Sequence, residues 1–192
     1  EQALAFADDM SSRAHRIGAA NTLIKMDSGK ISADNTDGYG FMTNLALQSN
    51  TWQPSAGPSL VLGAGGAARA VLVALLDAGA PKIYLCNRTQ ARAENLATDI
   101  SDRVEVIDWQ NKVNVLPEVV TVVNSTSLGM TGKPALQFDL TNVNPNALVT
   151  DLIYAPLETQ LLKDARARGC EVVSGIGMLL HQGVPGFEAW FG

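Results

Sequence analysis

The stretch from Ser59 to Asp77 constrains this chain most. Leu60-Val61-Leu62 is an apolar run that ends in Gly63-Ala64-Gly65-Gly66-Ala67-Ala68, and a helix-forming segment continues to Asp77. Strand, glycine-rich turn and helix in immediate succession form the opening unit of an α/β sheet with parallel strands. Each small residue has a physical task. Gly63 permits a tight turn, Gly65 lets backbone approach a pyrophosphate, and Ala68 lets the helix lie close on the strand. The free N–H groups and positive dipole end of the helix then favour phosphate. Gly63, Ala64, Gly65, Gly66 and Ala67 are therefore candidate dinucleotide-binding residues. The competing reading is a turn that only packs a helix tightly onto a sheet.

The rest of the chain beyond Ser59 repeats this alternation. SLVLG, KIYLC, VEVI, EVVTVVN, ALVTDLIY and CEVVS read as strands, and Ala67 to Asp77, Gln90 to Ile100 and Glu158 to Arg168 read as helices. Apolar runs without polar alternation predict strands buried on both faces, hence a parallel sheet. The fold class expected is α/β, a doubly wound parallel sheet of the Rossmann type. Upstream, EQALAFADDM reads as a short helix, Thr22 to Met26 and Lys30 to Ala33 as a hairpin around Asp27-Ser28-Gly29, and Tyr39 to Leu47 as a helix. TWQPSAGP, residues 51 to 58, reads as a linker. GIGMLLHQGVPGFEAWFG reads as a helix interrupted near Pro185. The expected organisation is residues 1–36 as the remnant of a substrate domain, 37–58 as connecting helix and linker, 59–174 as the cofactor-binding domain, and 175–192 as a helical segment returning to the substrate cleft.

Composition narrows the function classes. A net charge of −5 argues against a nucleic-acid partner, which needs a basic surface. No apolar run approaches the roughly 18 residues of a membrane helix, and no secretory signal is present, so a cytoplasmic protein is expected. Cys86 and Cys170 lie in apolar runs and are expected as buried reduced thiols. His15 and His181 read as structural or solvated, and no spacing suggests a metal site.

The end of the second strand bears on the cofactor. NAD-preferring folds carry Asp or Glu about 20 residues after the first glycine, where it bonds a ribose hydroxyl. This strand ends instead in Asn87-Arg88-Thr89, with Arg92 one turn further on. A guanidinium fork suits a 2′-phosphate, and Asn87 and Thr89 add neutral hydrogen bonds. The cofactor expected is NADP(H). The plainer reading is a solvated Arg88, with Thr89 capping the following helix.

GAANTL, the NTDG of Asn35 to Gly38, GAGGAARA, NRT, the NSTSLGM of Asn124 to Met130 and GMLLHQG occur in this order in the shikimate dehydrogenases. The chain resembles about the last two-thirds of such an enzyme. The resemblance implies reversible NADP-dependent reduction of 3-dehydroshikimate to shikimate, a step towards chorismate and the aromatic amino acids. It also implies site residues. Asp37 matches the aspartate of a catalytic Lys–Asp pair, though Asp37 reads equally well as a helix N-cap. Asn21 and Gln182 match residues that bond substrate hydroxyls, and Tyr154 matches an aromatic near substrate and nicotinamide. Ser125 and Thr126, closing the fourth strand, are expected to approach the cofactor, as are Ile153 and Gly175. Taken without the resemblance, Asn21 is a turn residue, Gln182 a solvated helix residue and Tyr154 simple packing.

Two features of the family pattern have no match. One is its Ser-x-Ser substrate motif. The other is the catalytic Lys of its V-T-x-P-x-K string, which by spacing would immediately precede Glu1; Lys25 and Lys30 belong to the hairpin and do not replace it. The expectation is a fragment, left by a trypsin-like cut after that lysine or by a designed truncation, that binds NADP(H) and turns over little substrate. The alternatives are a quinate/shikimate dehydrogenase paralogue, a non-catalytic NADP-binding module, and a Rossmann reductase related to methylenetetrahydrofolate or glutamyl-tRNA reductases. Asn87-Arg88-Thr89 speaks against NAD preference, and NTDG with GMLLHQG against the last.

Overall fold

The computed structural model describes residues 2–192. Two sheets organise it. The larger consists of β4 (Ser59–Leu62), β5 (Ile83–Cys86), β6 (Val104–Val106), β7 (Thr121–Asn124), β8 (Leu148–Asp151) and β9 (Glu171–Ser174), in the spatial order β6-β5-β4-β7-β8-β9. All five pairings are parallel. This is the doubly wound order, whose reversal point lies between β4 and β7. The four residues of each of β4, β5, β7 and β8 are buried, as the unbroken apolar runs require.

Helices α3 (Gly66–Asp77), α4 (Gln90–Ile100) and α5 (Gln160–Ala167) connect these strands, close to the expected spans. The α3 helix buries eight residues, among them Val71, Leu72, Leu75 and Leu76, against the sheet. Each such aliphatic side chain contributes about 1.5–3 kcal/mol. One core lies on this face, with Val61, Ile83 and Leu85, and a second lies on the other, with Leu60, Leu62, Leu116 and Leu161. Cys86 and Cys170 are buried free thiols, and burial pushes the Cys86 thiol up to about 12.

The smaller sheet has the order β1-β3-β2. Here β2 (Thr22–Lys25) and β3 (Ile31–Asp34) form the expected antiparallel hairpin. The preceding segment differs from expectation. Instead of a helix over EQALAFADDM, of which Glu1 lies outside the described residues, there is a 3-10 turn at Gln2–Phe6 and a short strand β1 (Asp9–Met10) parallel to β3. Acidic Asp8 decides this. Its N–H donates to the Ile31 carbonyl and its carboxylate accepts from the Ile31 N–H, so the backbone is claimed by the sheet edge. A six-residue helix α1 (Ser12–Ile17) follows, capped by the Ser11 hydroxyl.

The helices α2 (Asp37–Gln48) and α6 (Ile176–Phe191) join the two sheets by packing on each other. They cross closely because glycines stand at the contact. A Cβ on Gly40 would lie 2.6 Å from the Gln182 nitrogen, and one on Gly177 would overlap Asn44 Oδ1. The α6 helix runs through Pro185 without the expected interruption. The proline removes one backbone donor, but the turns beyond it are pinned by the Trp190 indole, which donates to the Leu23 carbonyl at 3.0 Å. No helix among the described residues is long and apolar enough to cross a membrane.

Candidate active site

The glycine-rich turn leaves β4 with Gly63 at φ 105°, a conformation that favours glycine. A Cβ there would also meet Ser125 Oγ at 2.7 Å. The Ser125 hydroxyl donates to the Leu62 carbonyl at 2.7 Å, so the ends of β4 and β7 are tied at the reversal point of the sheet. Gly65 and Gly66 differ from Gly63: nothing lies within 4 Å of a Cβ on either. Both are exposed at the start of α3, whose first-turn N–H groups no side chain caps. This open, donor-rich space fits a pyrophosphate.

At the end of β5, Arg88 is exposed and makes no ion pair or side-chain hydrogen bond with the described residues. Asn87 Nδ2 donates to the Thr89 carbonyl at 2.9 Å, which shapes the turn. Thr89 occupies the N-cap position of α4, but its side chain makes no capping bond, contrary to the simpler expectation. Its hydroxyl is left for another partner.

Asp37 is the first residue of α2 rather than its N-cap, a position that Thr36 takes without a side-chain capping bond. The N-cap reading is thereby corrected. The Asp37 carboxylate instead accepts from Asn21 Nδ2 at 2.9 Å, and its N–H donates to Asn35 Oδ1 at 3.0 Å. Asn21 Oδ1 in turn accepts from the N–H and hydroxyl of Thr36, each at 3.1 Å. The two NT dipeptides, 21–22 and 35–36, thus lock the hairpin to α2. Burial raises the pKa of Asp37, against the opposing bonds from Asn21 and Asn35. No lysine pairs with it among the described residues.

Gln182 stands beside Asp37 because of the close α2–α6 crossing. A cavity of about 180 Å³ is lined by Asp37, Ala67, Tyr154, Gly175 and Gln182, together with Met178. An adjoining cavity of about 250 Å³ includes Asn21, Thr22, Thr36 and Trp190, with Gln182 shared between the two. Asp37, Asn21, Tyr154, Gly175 and Gln182 therefore meet at one cleft beside the glycine turn. Leu152, Met178 and Leu179 also line it and were not singled out in the sequence.

The fourth and fifth strands end in a buried polar network. Asn124 Oδ1 accepts from the N–H and hydroxyl of Thr126, at 3.1 and 2.8 Å. Asn124 Nδ2 donates to Asp151 Oδ1 at 3.0 Å. Ile153, 2% exposed, donates its N–H to the same oxygen. His15 is exposed and His181 half-buried, and neither bonds to these groups. Among the described residues no group of His, Cys, Asp and Glu is arranged to hold a metal ion.

Comparison with known proteins places the sequence and the fold. A family model described as shikimate / quinate 5-dehydrogenase matches residues 47–131. The shikimate dehydrogenase (NADP(+)) of Roseobacter denitrificans is 56% identical over 192 residues, covering 100% of this chain and 69% of that protein. The quinate dehydrogenase of Corynebacterium glutamicum, solved in complex with NAD, superposes with a TM-score of 0.91 at 32% identity, covering 99% of this chain and 68% of the other. Shikimate 5-dehydrogenase of Thermus thermophilus, solved with NADP(H) and shikimate, gives 0.85 at 36% identity, covering 100% and 69%. Matched along its whole length to a relative 56% identical, and sharing the fold of solved members, this chain belongs to the shikimate dehydrogenase family.

Proposed function

We propose that this chain, together with the family's lysine, catalyses the reversible NADP-dependent reduction of 3-dehydroshikimate to shikimate. The observation that carries the reading is the meeting of Asp37, Asn21, Tyr154 and Gln182 at one cleft beside an open glycine turn. A module that only bound the dinucleotide would have no use for the first and last of these.

Bound NADPH would supply a hydride to the ring carbonyl carbon. The N–H groups around Gly63, Ala64, Gly65, Gly66 and Ala67 would hold its pyrophosphate. Arg88 would pair with the 2′-phosphate, helped by Asn87 and Thr89, and the absence of a carboxylate at this strand end favours NADP over NAD. Ser125, Thr126, Ile153 and Gly175 would bear on the nicotinamide half. Asn21 and Gln182 would orient substrate hydroxyls, with Tyr154 against the ring. Asp37 would sit at the reacting oxygen with the family's lysine. Asn21 occupies one of its oxygens and leaves the other for a hydroxyl or an ammonium. Its burial favours holding a proton, which suits a group that passes one to and from a hydroxyl.

In this reading residues 1–36 belong to the substrate domain, 37–58 connect, 59–174 bind the cofactor and 175–192 return to the cleft. The partners are small molecules and the compartment is the cytoplasm. The test is shikimate-dependent NADP+ reduction, run beside quinate and NAD+, with NADPH and NADH titrated into the same sample. Tighter binding of NADPH than NADH and preferential oxidation of shikimate are expected. Preference for quinate with NAD+ would move the protein to the quinate branch of the family, and no binding of either dinucleotide would sink the reading.

A further inference from the structure

Where β7 and β8 end, the chain buries a carboxylate that the chemistry above does not use. Asp151 is 1% exposed. Asn124 Nδ2 and the Ile153 N–H reach its Oδ1 at 3.0 and 3.1 Å, and the Thr159 hydroxyl reaches Oδ2 at 2.7 Å. Asn124 and Thr159 are 0% and 2% exposed. No lysine or arginine pairs with Asp151 among the described residues. Asn124 Nδ2 and the Ile153 N–H donate to Oδ1, and the Thr159 hydroxyl, with no other acceptor among the described residues, is placed to donate to Oδ2. Burial raises the pKa of Asp151, and the bonds from Thr159, Ile153 and Asn124 oppose it.

A buried carboxyl group is costly unless its oxygens are hydrogen-bonded, and the bonds that satisfy this one order its surroundings. Thr159 stands at the N-cap of α5, yet its hydroxyl makes no capping bond and goes to Asp151 instead. Asn124, held by Asp151, fixes Thr126, whose hydroxyl accepts the Leu128 N–H at 3.0 Å. One chain of bonds thus runs from Thr159 through Asp151 and Asn124 to Thr126, and a branch reaches Ile153. Thr126 and Ile153 stand in the segments assigned above to the nicotinamide half of the cofactor.

We propose that Asp151 is the positioning residue of the nicotinamide end: it fixes both strand-end segments through Asn124 and Ile153, and its buried charge favours the oxidised, cationic ring over the reduced, neutral one. A charge in the interior is weakly screened, so it acts beyond its own contacts. The inference rests on the NADP(H) reading.

The experiment titrates NADP+, NADPH and adenosine 2′,5′-bisphosphate into the protein and into Asp151→Asn. The bisphosphate carries only the adenosine end, so it reports whether the cofactor domain is folded. Its affinity is expected to stay unchanged while NADPH weakens severalfold and NADP+ weakens about tenfold more than NADPH. Thr159→Val, which removes one bond and keeps the charge, is expected to weaken NADPH with the bisphosphate unaffected, and Thr159→Ser to restore it. These two decide the matter if Asp151→Asn does not fold. Unchanged dinucleotide binding in the variants overturns this inference alone. Equal loss of all three ligands in a folded variant overturns it as well, because the residue then only supports the fold. A wild-type protein that binds no dinucleotide overturns the NADP(H) reading and this inference together.

Discussion

The two ends of the cleft are built in opposite ways. At the end proposed for the adenosine, Arg88 stands in solvent without a partner among the described residues, the Thr89 hydroxyl caps nothing, and the space over Gly65 and Gly66 is open. At the other end, Asn21, Thr36 and Asp37 are bonded to one another, as are Asn124, Thr126 and Asp151, before any ligand arrives. The difference reflects what each end must do. A phosphate brings its own charge and needs only accessible donors, which water can hold ready. A reacting ring needs groups held in place, because a misplacement of about 1 Å can cost about 100-fold in rate. Affinity is therefore expected to reside at the first end and catalysis at the second.

Asp37→Asn puts this contrast under the heaviest strain. In the enzyme that carries the family's lysine, turnover of shikimate is expected to fall by about 10²–10⁴-fold while NADPH affinity stays within about twofold, read from steady-state rates and a parallel titration. A matching loss of NADPH affinity would show that the two ends are not separable. Next comes a pair of glycine variants. Gly63→Ala places a Cβ 2.7 Å from Ser125 Oγ at φ 105°, where β4 and β7 are tied, and is expected to cost about 2–4 kcal/mol in urea unfolding. Gly65→Ala meets nothing within 4 Å, so stability should change by less than about 0.5 kcal/mol while NADPH binding weakens about tenfold or more. Equal stability losses for both would contradict the open cradle.

Arg88→Ala tests the solvated end more gently. NADPH is expected to weaken by about 10- to 100-fold with NADH nearly unaffected, and the wild-type preference should shrink as salt is raised. Weakening of NADH by the same factor would mean that Arg88 serves the adenosine and not its 2′-phosphate. The smallest effect is on stability. Burial sets the folded pKa of Asp37 above its unfolded value. Its contribution is then most favourable below the unfolded carboxylate range and is lost as pH rises through the folded pKa. At neutral pH the charge detracts from folding, so Asp37→Asn should raise Tm slightly, with the gain vanishing in acid. A lower Tm at pH 7 would show that the bonds from Asn21 and Asn35 outweigh the burial.

The legibility of the molecule divides along the same line. The glycine turn and the Asn87-Arg88-Thr89 end could be read directly, since strand, turn and helix are contiguous and their chemistry is local. The short β1 and α1 carry too few residues to show a period, and Asp8 and Ser11 settle them through bonds to distant or capping partners. Pro185 reads as a break because the proline is local, while the Trp190 bond that steadies the helix beyond it reaches across to the hairpin. Asp37 is legible in the sequence as a site residue or an N-cap, and its place as the first residue of α2 removes the N-cap reading.

Residue order along the chain was enough for the parallel sheet, its glycine turn and the family to which the chain belongs. These follow from small, apolar and basic residues succeeding one another in continuous segments. It was not enough to show that Gln182 meets Asp37, or that Asp151 gathers Asn124, Ile153 and Thr159. Those meetings depend on two helices crossing at Gly40 and Gly177 and on neighbouring parallel strands ending at one level. Buried polar groups must find partners wherever the packed chain brings them, and that requirement acts through space rather than along the sequence.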